Sequence, residues 1–458
     1  MKLEKKIGLL GAIGIVTGGV IGMGAYVLVP GISANAGEGA WLAIMIALIV
    51  SLIGVLPLIQ ISSALPVAGA GYLYGSRLIN PLAGTLVSGW AIIGGISSLS
   101  LVSLGLAQYF LEYVPVAINP LLLSILFIAA FYLLYQFGLK LLAALQIAMA
   151  FQLLISLIAY AVIMLNANNF EIIAGKPSEG FVIAIILAFN VCFGFQIIIE
   201  LGEEISNPKR NIPLALIIGA GVIMIIYLAI LSGYLSEVGV EGAKLKPKLI
   251  DTAQPYFNGF MKVFFIVGVF FAGITSYNAG AIALPREIFS MARDKTLPSY
   301  FAKINTRNGN PSNAVNLFFI IVIIMLLIGY ALHETGLIAP YFGNTLDSLI
   351  EFYGFMTILG IMLLTIFISI SAFRLPKLYP KEFQNAYIKF PVGLLNVFVV
   401  ISILSSASLV LIMSLEKLII PVIYIVFTAL IIGLFYLRKW QLRKQGIAIG
   451  KVYDAFGE

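Results

Sequence analysis

A glycine-rich stretch near the start of the chain has the spacing to expose unpaired backbone amides. GGVIGMGAYVLVPG, residues 18–31, places Gly22 and Gly24 on either side of one residue, inside a run apolar enough to cross a bilayer. These two glycines lie on opposite sides of a helix, so one packing stripe cannot use both. The spacing predicts a helix break that exposes the N–H groups of Gly22 to Ala25 at the positive end of a half-helix, a favourable position for a carboxylate.

A second stretch, FNVCFGFQ at residues 189–196, places polar and flexible residues within another apolar run. These residues are Asn190, Cys192, Gly194 and Gln196. Inside lipid, non-helical backbone is tolerated only where protein or a water-filled cavity surrounds it. Two interrupted helices at corresponding positions of two halves of a chain predict a ligand site between them.

Composition places both stretches in a polytopic membrane protein. The chain has 458 residues, of which 61% are hydrophobic and 10% charged, whereas soluble domains carry roughly 25% charged residues. The net charge of +7 is explained by basic loops and requires no nucleic-acid partner. The single cysteine, Cys192, excludes an internal disulfide, and the single histidine, His333, leaves no cluster for a soft metal.

Apolar runs of about 20 residues predict membrane-spanning helices. We expect twelve, at 7–31, 39–65, 82–113, 119–137, 140–166, 180–203, 211–236, 256–292, 312–332, 345–372, 391–413 and 418–438. With both termini in the cytoplasm, all but six of the 27 Lys and Arg residues lie inside, which agrees with the positive-inside rule. The first run has no signal-peptide cleavage site.

Glycines in the first helix also allow a second interpretation. Gly11, Gly14 and Gly18 could form a close-packing face, because small residues let neighbouring helices touch. This alternative stays open for these three residues. It does not account for Gly22 and Gly24.

Four motifs in order resemble those of the amino acid–polyamine–organocation superfamily. GIVTGGVIGMGAYVLVPG is similar to its first-helix pattern, and LPVAGAGYLYGSRLINPLAGTLVSGW (65–90) to its entry into the third helix. FGFQIIIELGEEISNPKRNIPLAL (193–216) resembles G-F-(D/E) followed by E-E-x-x-N-P-x-R-x-I-P. PREIFSMARDKTLPSYFAKINTRNGNPSNAV (285–315) resembles R-x-x-(F/Y)-x-M-A-R-D-G-x-x-P and its trailing P-x-N-A. The motifs cover the first ten predicted helices.

This resemblance implies an all-α, LeuT-type fold that works by alternating access. Residues 1–170 would form the first inverted repeat of five helices and 171–376 the second, with two peripheral helices and a tail in 377–458. Helices 1 and 6 would be unwound at mid-membrane. The resemblance also implies an amino acid substrate, with its carboxylate on amides of Gly22, Met23 and Gly24, and its ammonium on carbonyls near Val191 and Phe193.

Two positions depart from the family pattern. An aromatic gate residue often precedes the small residue of the sixth-helix break, and Asn190 stands there. A carboxylate often follows G-F, and Gln196 stands there. The identity of the substrate therefore cannot be transferred closely from relatives.

Charged residues cluster at the expected cytoplasmic ends of helices 6 and 8. We expect Glu203, Glu204 and Arg286 to belong to a structural and gating network rather than to contact substrate. Glu287, Arg293 and Asp294 would pair among themselves, with Arg286, or with the segment 203–210. Glu200 lies one turn deeper, and acidic residues at depth are functional candidates. Asp347 and Glu351, near the outer end of helix 10, could line a vestibule or take part in coupling.

Selectivity for the substrate side chain would come from residues that border the breaks or lie on helices 3 and 8. These are Met23, Ser97, Asn190, Cys192 and Tyr277. The breaks themselves add Ala25 to the expected site. Helix 8 lines the site in the family, as helix 3 does.

Helix 8 also carries a possible sodium site. Ala272, Thr275 and Ser276 have the A-x-x-T-S spacing of sodium-dependent LeuT-type transporters, and carbonyls near Gly18 and Ile21 could complete an oxygen shell. Alternatively, the two hydroxyls simply bond to carbonyls one turn back. In proton-coupled or uncoupled relatives a lysine on helix 5 often reaches this place, and we align Gln152 with it, which leaves the site without positive charge.

We therefore expect a plasma-membrane secondary transporter of small neutral amino acids, coupled to sodium and without another cofactor. No acidic side chain is predicted at the midplane to meet a second positive charge. A proton-coupled permease or an amino acid or amine exchanger of the same fold is the alternative. A channel has no use for two broken helices, an enzyme would need a catalytic constellation at depth, and no loop could hold a nucleotide-binding segment.

Overall fold

The computed structural model describes residues 7–114, 116–135, 139–169, 173–192, 194–305 and 309–447, with Lys5, Ile449 and Val452. This part of the chain is helical apart from loops and two isolated β-bridges, Ile7 with Ile205 and Ala68 with Leu201. Ten of its helical stretches are long and apolar enough to cross a membrane. The first, Leu9–Ala64, contains three helices, and Pro120–Tyr135 is a shorter apolar helix.

Seven α-helices occupy the first part of the chain. They are α1 (Leu9–Ile21), α2 (Gly24–Ala36), α3 (Ala40–Ala64), α4 (Ala70–Tyr74), α5 (Pro81–Tyr113), α6 (Pro120–Tyr135) and α7 (Leu139–Ala167). A 3₁₀ turn, Gly37–Gly39, joins α2 to α3, and a π-helix, Gly75–Ile79, follows α4. Asn80 begins α5 by accepting a 2.9 Å hydrogen bond from the Ala83 amide, with Pro81 at the first helical position.

Eleven α-helices follow. They are α8 (Phe181–Val191), α9 (Pro208–Ala243), α10 (Leu249–Ala253), α11 (Gly259–Ala283), α12 (Pro285–Arg293), α13 (Ser312–Glu334), α14 (Ala339–Phe342), α15 (Leu346–Leu378), α16 (Pro380–Gln384), α17 (Val392–Glu416) and α18 (Ile419–Arg443). Two 3₁₀ helices, Phe195–Glu200 and Ser299–Ala302, lie between them. The single predicted segment 256–292 is thus two helices, because Pro285 begins a new one after Leu284.

The interrupted helices lie in the middle of the packing. Helix α1 packs against α7, α9 and α11, while α2 packs against α8 and α9. Helix α5 packs along α15 and also meets α11. Helices α17 and α18 lie outside this core, with apolar side chains such as Leu404 and Leu434 largely exposed. Exposed leucines on a helix of this length are the expected lipid-facing surface.

The two ends of the bundle differ in their connections. We call the side that carries Ile7, residues 201–207 and α12 the N-terminal face, and the side that carries residues 173–180 and 244–258 the opposite face. On the N-terminal face the backbone of Ile7 is hydrogen-bonded to Glu204 and Ser206. This ties the start of the chain to the segment after the second helix break.

Candidate functional site

The first membrane-spanning stretch is broken at Gly22 and Met23. Helix α1 ends at Ile21, Gly22 has φ 35° and ψ −150°, and α2 begins at Gly24. An ideal Cβ on Gly22 would lie 1.7 Å from Oγ of Ser276, so only glycine fits this backbone and this contact. The predicted break at 22–25 is therefore correct in place but too long, since Gly24 and Ala25 are already helical.

This break leaves four consecutive amides without a backbone acceptor among the described residues. The first amides after it that are paired belong to Tyr26 and Val27, and both donate to the Met23 carbonyl at 3.1 Å. The N–H groups of residues 22–25 have no such partner recorded, as expected for the first turn of a helix. The break thus presents a short row of donors together with the positive end of α2.

The second break lies between α8 and the 3₁₀ helix Phe195–Glu200, at Cys192 and Gly194. Helix α8 ends at Val191, where the Cys192 amide donates to the carbonyls of Ala188 and Phe189, and Gly194 has φ 129°. Asn190 and Val191 remain helical, so the predicted break at 190–194 begins two residues too early. Phe193, an expected ammonium site, lies outside the described residues.

The two breaks face each other. A Cβ on Gly24 would lie 3.1 Å from Cγ1 of Val191, and one on Gly194 would lie 3.3 Å from the Gly19 carbonyl oxygen. The start of α2 therefore contacts the end of α8, and the start of the 3₁₀ helix contacts the end of α1. The amide-rich end of one half-helix lies beside the carbonyl-rich end of the other, as an amino acid's two charged groups require.

A central cavity of about 110 Å³ lies at this meeting point. Of the predicted substrate residues, Met23, Gly24 and Asn190 line it, as does Ser276 from the predicted sodium site. Further lining residues that the sequence did not single out as substrate contacts are Ser98, Gly194, Gln196, Glu200 and Thr357. The sequence indicated two of them, Gly194 and Gln196, because they belong to the irregular stretch at 189–196.

Three predicted selectivity residues lie elsewhere. The Ser97 hydroxyl donates to the Ile93 carbonyl at 2.8 Å, while the neighbouring Ser98 lines the cavity. Tyr277 stacks on Phe131 with ring centroids 4.2 Å apart. Cys192 is fully buried and does not line the cavity. For Ser97 and Tyr277 the prediction is wrong by one position. The neighbouring residues, Ser98 on α5 and Ser276 on α11, line the cavity instead.

The predicted sodium-site residues are close together, but some of their oxygen atoms are already hydrogen-bonded. Oγ1 of Thr275 donates to the Ala272 carbonyl at 2.9 Å, which is the simpler arrangement that the sequence left open. The Ile21 carbonyl accepts from the Tyr227 hydroxyl at 3.0 Å. A Cβ on Gly18 would lie 3.1 Å from Cβ of Thr275. Helices α1 and α11 are thus in contact at Gly18 and Thr275.

Gln146, not Gln152, is the residue of α7 that reaches this place. Its Nε2 donates to the carbonyls of Gly14 and Thr275, each at 3.3 Å, and its Oε1 accepts from Asn278. Gln152 instead donates to the Phe264 carbonyl. The predicted alignment of Gln152 with the lysine position is therefore wrong by six residues, and the corrected residue is again an uncharged amide.

A vestibule of about 700 Å³ leads from the central cavity to the opposite face. The two spaces share Leu28, Leu101 and Asn190 as lining residues, so Asn190 lies between them. Asp347 and Glu351 line the vestibule. There Asp347 accepts from Gln108 at 2.7 Å, and Glu351 lies 3.7 Å from Nζ of Lys417. Of the two roles weighed for these acids, the vestibule is the one that their position fits.

Ion pairs connect the segments of the N-terminal face. Arg286 makes two hydrogen bonds to Glu204, at 2.7 and 3.1 Å, and both side chains are buried. Arg293 pairs with Glu203 at 2.7 Å. Helix α12 is thereby attached to the turn that follows the second break, which is one of the pairings expected from the sequence.

One pairing was not expected. Asp294 binds Arg77 of the π-helix at 2.7 Å, together with the Tyr72 hydroxyl. The backbone of the segment 65–69 adds to this closure, since Gly69 donates to the Glu200 carbonyl and Gly202 to the Val67 carbonyl. The segment from 65 to 79 is thus joined to Asp294 after α12 and to residues 200–202 after the second break.

The chain resembles known proteins over most of its length. The model of the family described as amino acid permease matches residues 7–432. The human cystine/glutamate transporter is 24% identical over 375 residues, which cover 78% of this chain and 71% of that protein. The branched-chain amino acid permease BcaP of Bacillus subtilis is 22% identical over 337 residues, 68% of this chain and 71% of the relative. The mouse Asc-type amino acid transporter 1 is 24% identical over 348 residues, which cover 71% of this chain and 66% of that protein.

Proposed function

Because the family model matches nearly the whole chain, the protein belongs to the amino acid permease family, and we propose that it is a secondary active transporter of small neutral amino acids. As a member of this family it is a multi-pass membrane protein and a transporter rather than an enzyme. Uptake would proceed by alternating access. The proposal is carried by one observation: two helix breaks meet at a small cavity that offers free amides on one side and carbonyls on the other.

The topology we propose has twelve spans in two inverted repeats of five helices, 1–170 and 171–376, followed by peripheral helices in 377–458. The N-terminal face would be cytoplasmic, with both termini there, and the cell membrane is the proposed location. The arrangement of basic residues supports this orientation, since all but six of them fall on the N-terminal side.

The substrate carboxylate would bind the amides of residues 22–25, and its ammonium the carbonyl end of α8 near Asn190 and Val191. A helix N-terminus carries about half a positive charge and a C-terminus about half a negative charge. A zwitterion placed between them has both of its charges stabilised without a charged side chain. This accounts for a site that needs no Arg or Asp at its centre.

Cavity size and lining support a small, neutral substrate. The volume of about 110 Å³ is well below the roughly 300–1,000 Å³ of sites for drug-sized ligands. Among its described lining residues Glu200 is the only acidic one, and its Oε1 already accepts from the Gly71 amide. Exchange of amino acids, as the name of the cystine/glutamate transporter relative suggests, is the alternative mode.

Sodium is the coupling ion that we propose, bound between α1 and α11. Sodium prefers oxygen ligands, and the carbonyls of Gly18, Ile21 and Ala272 with the hydroxyls of Thr275 and Ser276 would supply them. Gln146 brings no charge to this region, so an ion would provide the positive charge that a lysine provides elsewhere in the superfamily. Proton coupling is the alternative.

Alternating access would use the open vestibule on the opposite face and the closed N-terminal face. The vestibule on the opposite face reaches the central cavity past Asn190. The Glu203–Arg293 and Glu204–Arg286 pairs hold the N-terminal face together. We propose that these pairs separate when the transporter opens to the cytoplasm, which gives Glu203, Glu204 and Arg286 their gating role.

Ligand-dependent thermal stability tests the proposal on the purified protein. A ligand that binds the folded state at 100 times its Kd raises the unfolding free energy by about 2.7 kcal/mol. Small neutral amino acids should raise the melting temperature in sodium, and lysine or glutamate should not. If no amino acid raises the melting temperature of the folded protein, with or without sodium, the proposed function is wrong.

A further inference from the structure

The buried charged cluster of the N-terminal face contains two more acids than bases. Its ion pairs are Arg286 with Glu204, Arg293 with Glu203, and Arg77 with Asp294. Two acids remain among the described residues of this cluster, Glu200 and Glu287, and neither has a cation recorded within ion-pair distance. An ionised carboxylate without a partner in such a place is costly.

Glu200 ends the 3₁₀ helix that follows the second break. Its side chain lines the central cavity although the residue is only 3% exposed. Oε1 accepts from the Gly71 amide at 3.3 Å. Oε2 is buried and has no hydrogen-bond partner.

Glu287 reaches the same backbone from α12. It is fully buried, and its Oε2 accepts from the Tyr72 amide at 3.0 Å and from the Ser88 hydroxyl. Oε1 is buried and has no partner, and it lies 2.5 Å from the position of a Cβ on Gly71. The two carboxyl groups therefore meet at Gly71, within hydrogen-bonding range of each other.

Two ionised carboxylates in contact cannot both be stabilised in a buried position. Each group lacks a donor for one oxygen, and neither can donate to the other while both are ionised. One proton between them removes one negative charge and supplies the missing hydrogen bond. Two carboxyl groups that share one buried site commonly hold a single proton between them for this reason.

We propose that Glu200 and Glu287 form a proton-binding site at the N-terminal end of the central cavity. The shared proton joins the 3₁₀ helix to α12 and so stabilises the closed N-terminal face. Opening of that face separates the two groups and releases the proton to the same side. The site itself is independent of the proposed substrate, but its part in the transport cycle rests on the proposed function.

Few other titratable groups face this pair. On α4 the Tyr74 hydroxyl donates to the Leu65 carbonyl at 2.7 Å, while the Tyr72 hydroxyl is bonded to Asp294 and Thr296. Helices α1 and α3 contain no charged residue, and those of α5 and α11, Glu112 and Lys262, lie near the opposite face. Lys209 and Arg210 at the start of α9 are exposed. The proton is thus held by the two carboxyl groups themselves.

Infrared difference spectroscopy of the purified protein tests the site without any transport assay. At neutral pH we expect the C=O band of a protonated carboxyl group that shifts in heavy water. Glu200→Gln and Glu287→Gln should each abolish this band, because a glutamine amide supplies the hydrogen bond that the proton supplied. The control, Glu241→Gln, alters an exposed ion pair with Lys244 and should leave the band unchanged.

Amino acid binding, measured on the same samples, separates this proposal from the proposed function. A wild type that binds amino acids but lacks the band overturns the proton site alone, as does a band that persists in both variants. A wild type without the band, whose Glu287→Gln variant binds sodium more weakly, would assign the pair to a metal ion and also overturns the proposal. If Glu287→Gln does not fold, Glu200→Gln, whose partner keeps its two donors, decides the matter.

Discussion

The hydroxyl oxygen of Ser276 lies 1.7 Å from the position that a Cβ atom on Gly22 would take. Helix α11 therefore contacts the backbone of the first break directly, with no room for a side chain between them. The same serine lines the central cavity. The break, the cavity and the proposed ion site are thus joined at a single contact.

Substitution of Gly22 by alanine should weaken amino acid binding. The backbone there has φ 35°, which strains an alanine by about 1–3 kcal/mol, and the methyl group would overlap Ser276. A loss of this size in binding free energy lowers affinity about 5- to 150-fold. Binding to purified protein measures it.

Gly221→Ala is the matched control for this substitution. Gly221 lies within α9, and a Cβ there would meet nothing within 4 Å. Alanine is favoured over glycine in a helix interior, so this variant should bind like the wild type. Equal binding by Gly22→Ala would remove the first break from the site.

The double variant Thr275→Ala, Ser276→Ala should lose the sodium dependence of substrate binding. In the wild type we expect choline in place of sodium to weaken binding about 5- to 150-fold, the usual range of coupling between two sites. In the double variant the two salts should give the same affinity. Thr335→Ala is the control, because its hydroxyl makes the same bond to a preceding carbonyl on the opposite face. A wild type indifferent to sodium would refute the proposed coupling.

In the variant Gln146→Lys, the lysine ammonium group should take the place of the proposed sodium ion. Nε2 of Gln146 already lies 2.7 Å from the Cβ position of Gly18, so the ammonium of Gln146→Lys would stand against the carbonyls of α1 and α11. We expect this variant to bind substrate equally in sodium and choline. Gln152→Lys, whose parent residue bonds to Phe264, should retain the wild-type response. If Gln152→Lys bound substrate equally in sodium and choline while Gln146→Lys kept the wild-type response, the alignment predicted from the sequence would be correct.

Removal of Arg286 should destabilise the protein more than removal of any exposed cation. Glu204 would be left buried without its partner, which costs about 3–5 kcal/mol of unfolding free energy. Lys244→Ala breaks an exposed pair with Glu241 and should cost about 0–1 kcal/mol. Unfolding curves in detergent compare the two variants with the wild type. Similar losses for both would show that the Glu204–Arg286 pair does not hold the N-terminal face together.

Features that depend on local sequence were predicted best. The broken helices followed from Gly22, Gly24 and Gly194, because glycine spacing and a polar interruption act within one segment. Their lengths were wrong by up to two residues, since helical hydrogen bonding resumes as soon as the backbone allows. The ion pairs of Glu203 and Glu204 with α12 are one of the pairings that the sequence left open, because both predicted helix ends carry acidic and basic residues.

Helix rotation could not be predicted in the same way. Ser97 and Ser98 are both small and polar, and only the packing of α5 decides which one faces the cavity. The six positions that separate Gln146 from Gln152 correspond to about one and two-thirds turns of helix, so this alignment error places the residue on a different face. The Glu200–Glu287 contact depends on segments 87 positions apart in the sequence, joined only by the backbone around Gly71.

Uptake by proteoliposomes tests most directly the claim that the two breaks form a transport site. Wild-type protein should accumulate small neutral amino acids under an inward sodium gradient, and uptake should cease in Gly24→Leu, whose side chain would collide with Val191 at 3.1 Å. Gly393→Leu, which meets nothing within 4 Å, should transport normally. Uptake by Gly24→Leu equal to that of the wild type, or no uptake of any amino acid by folded wild-type protein, would contradict the account.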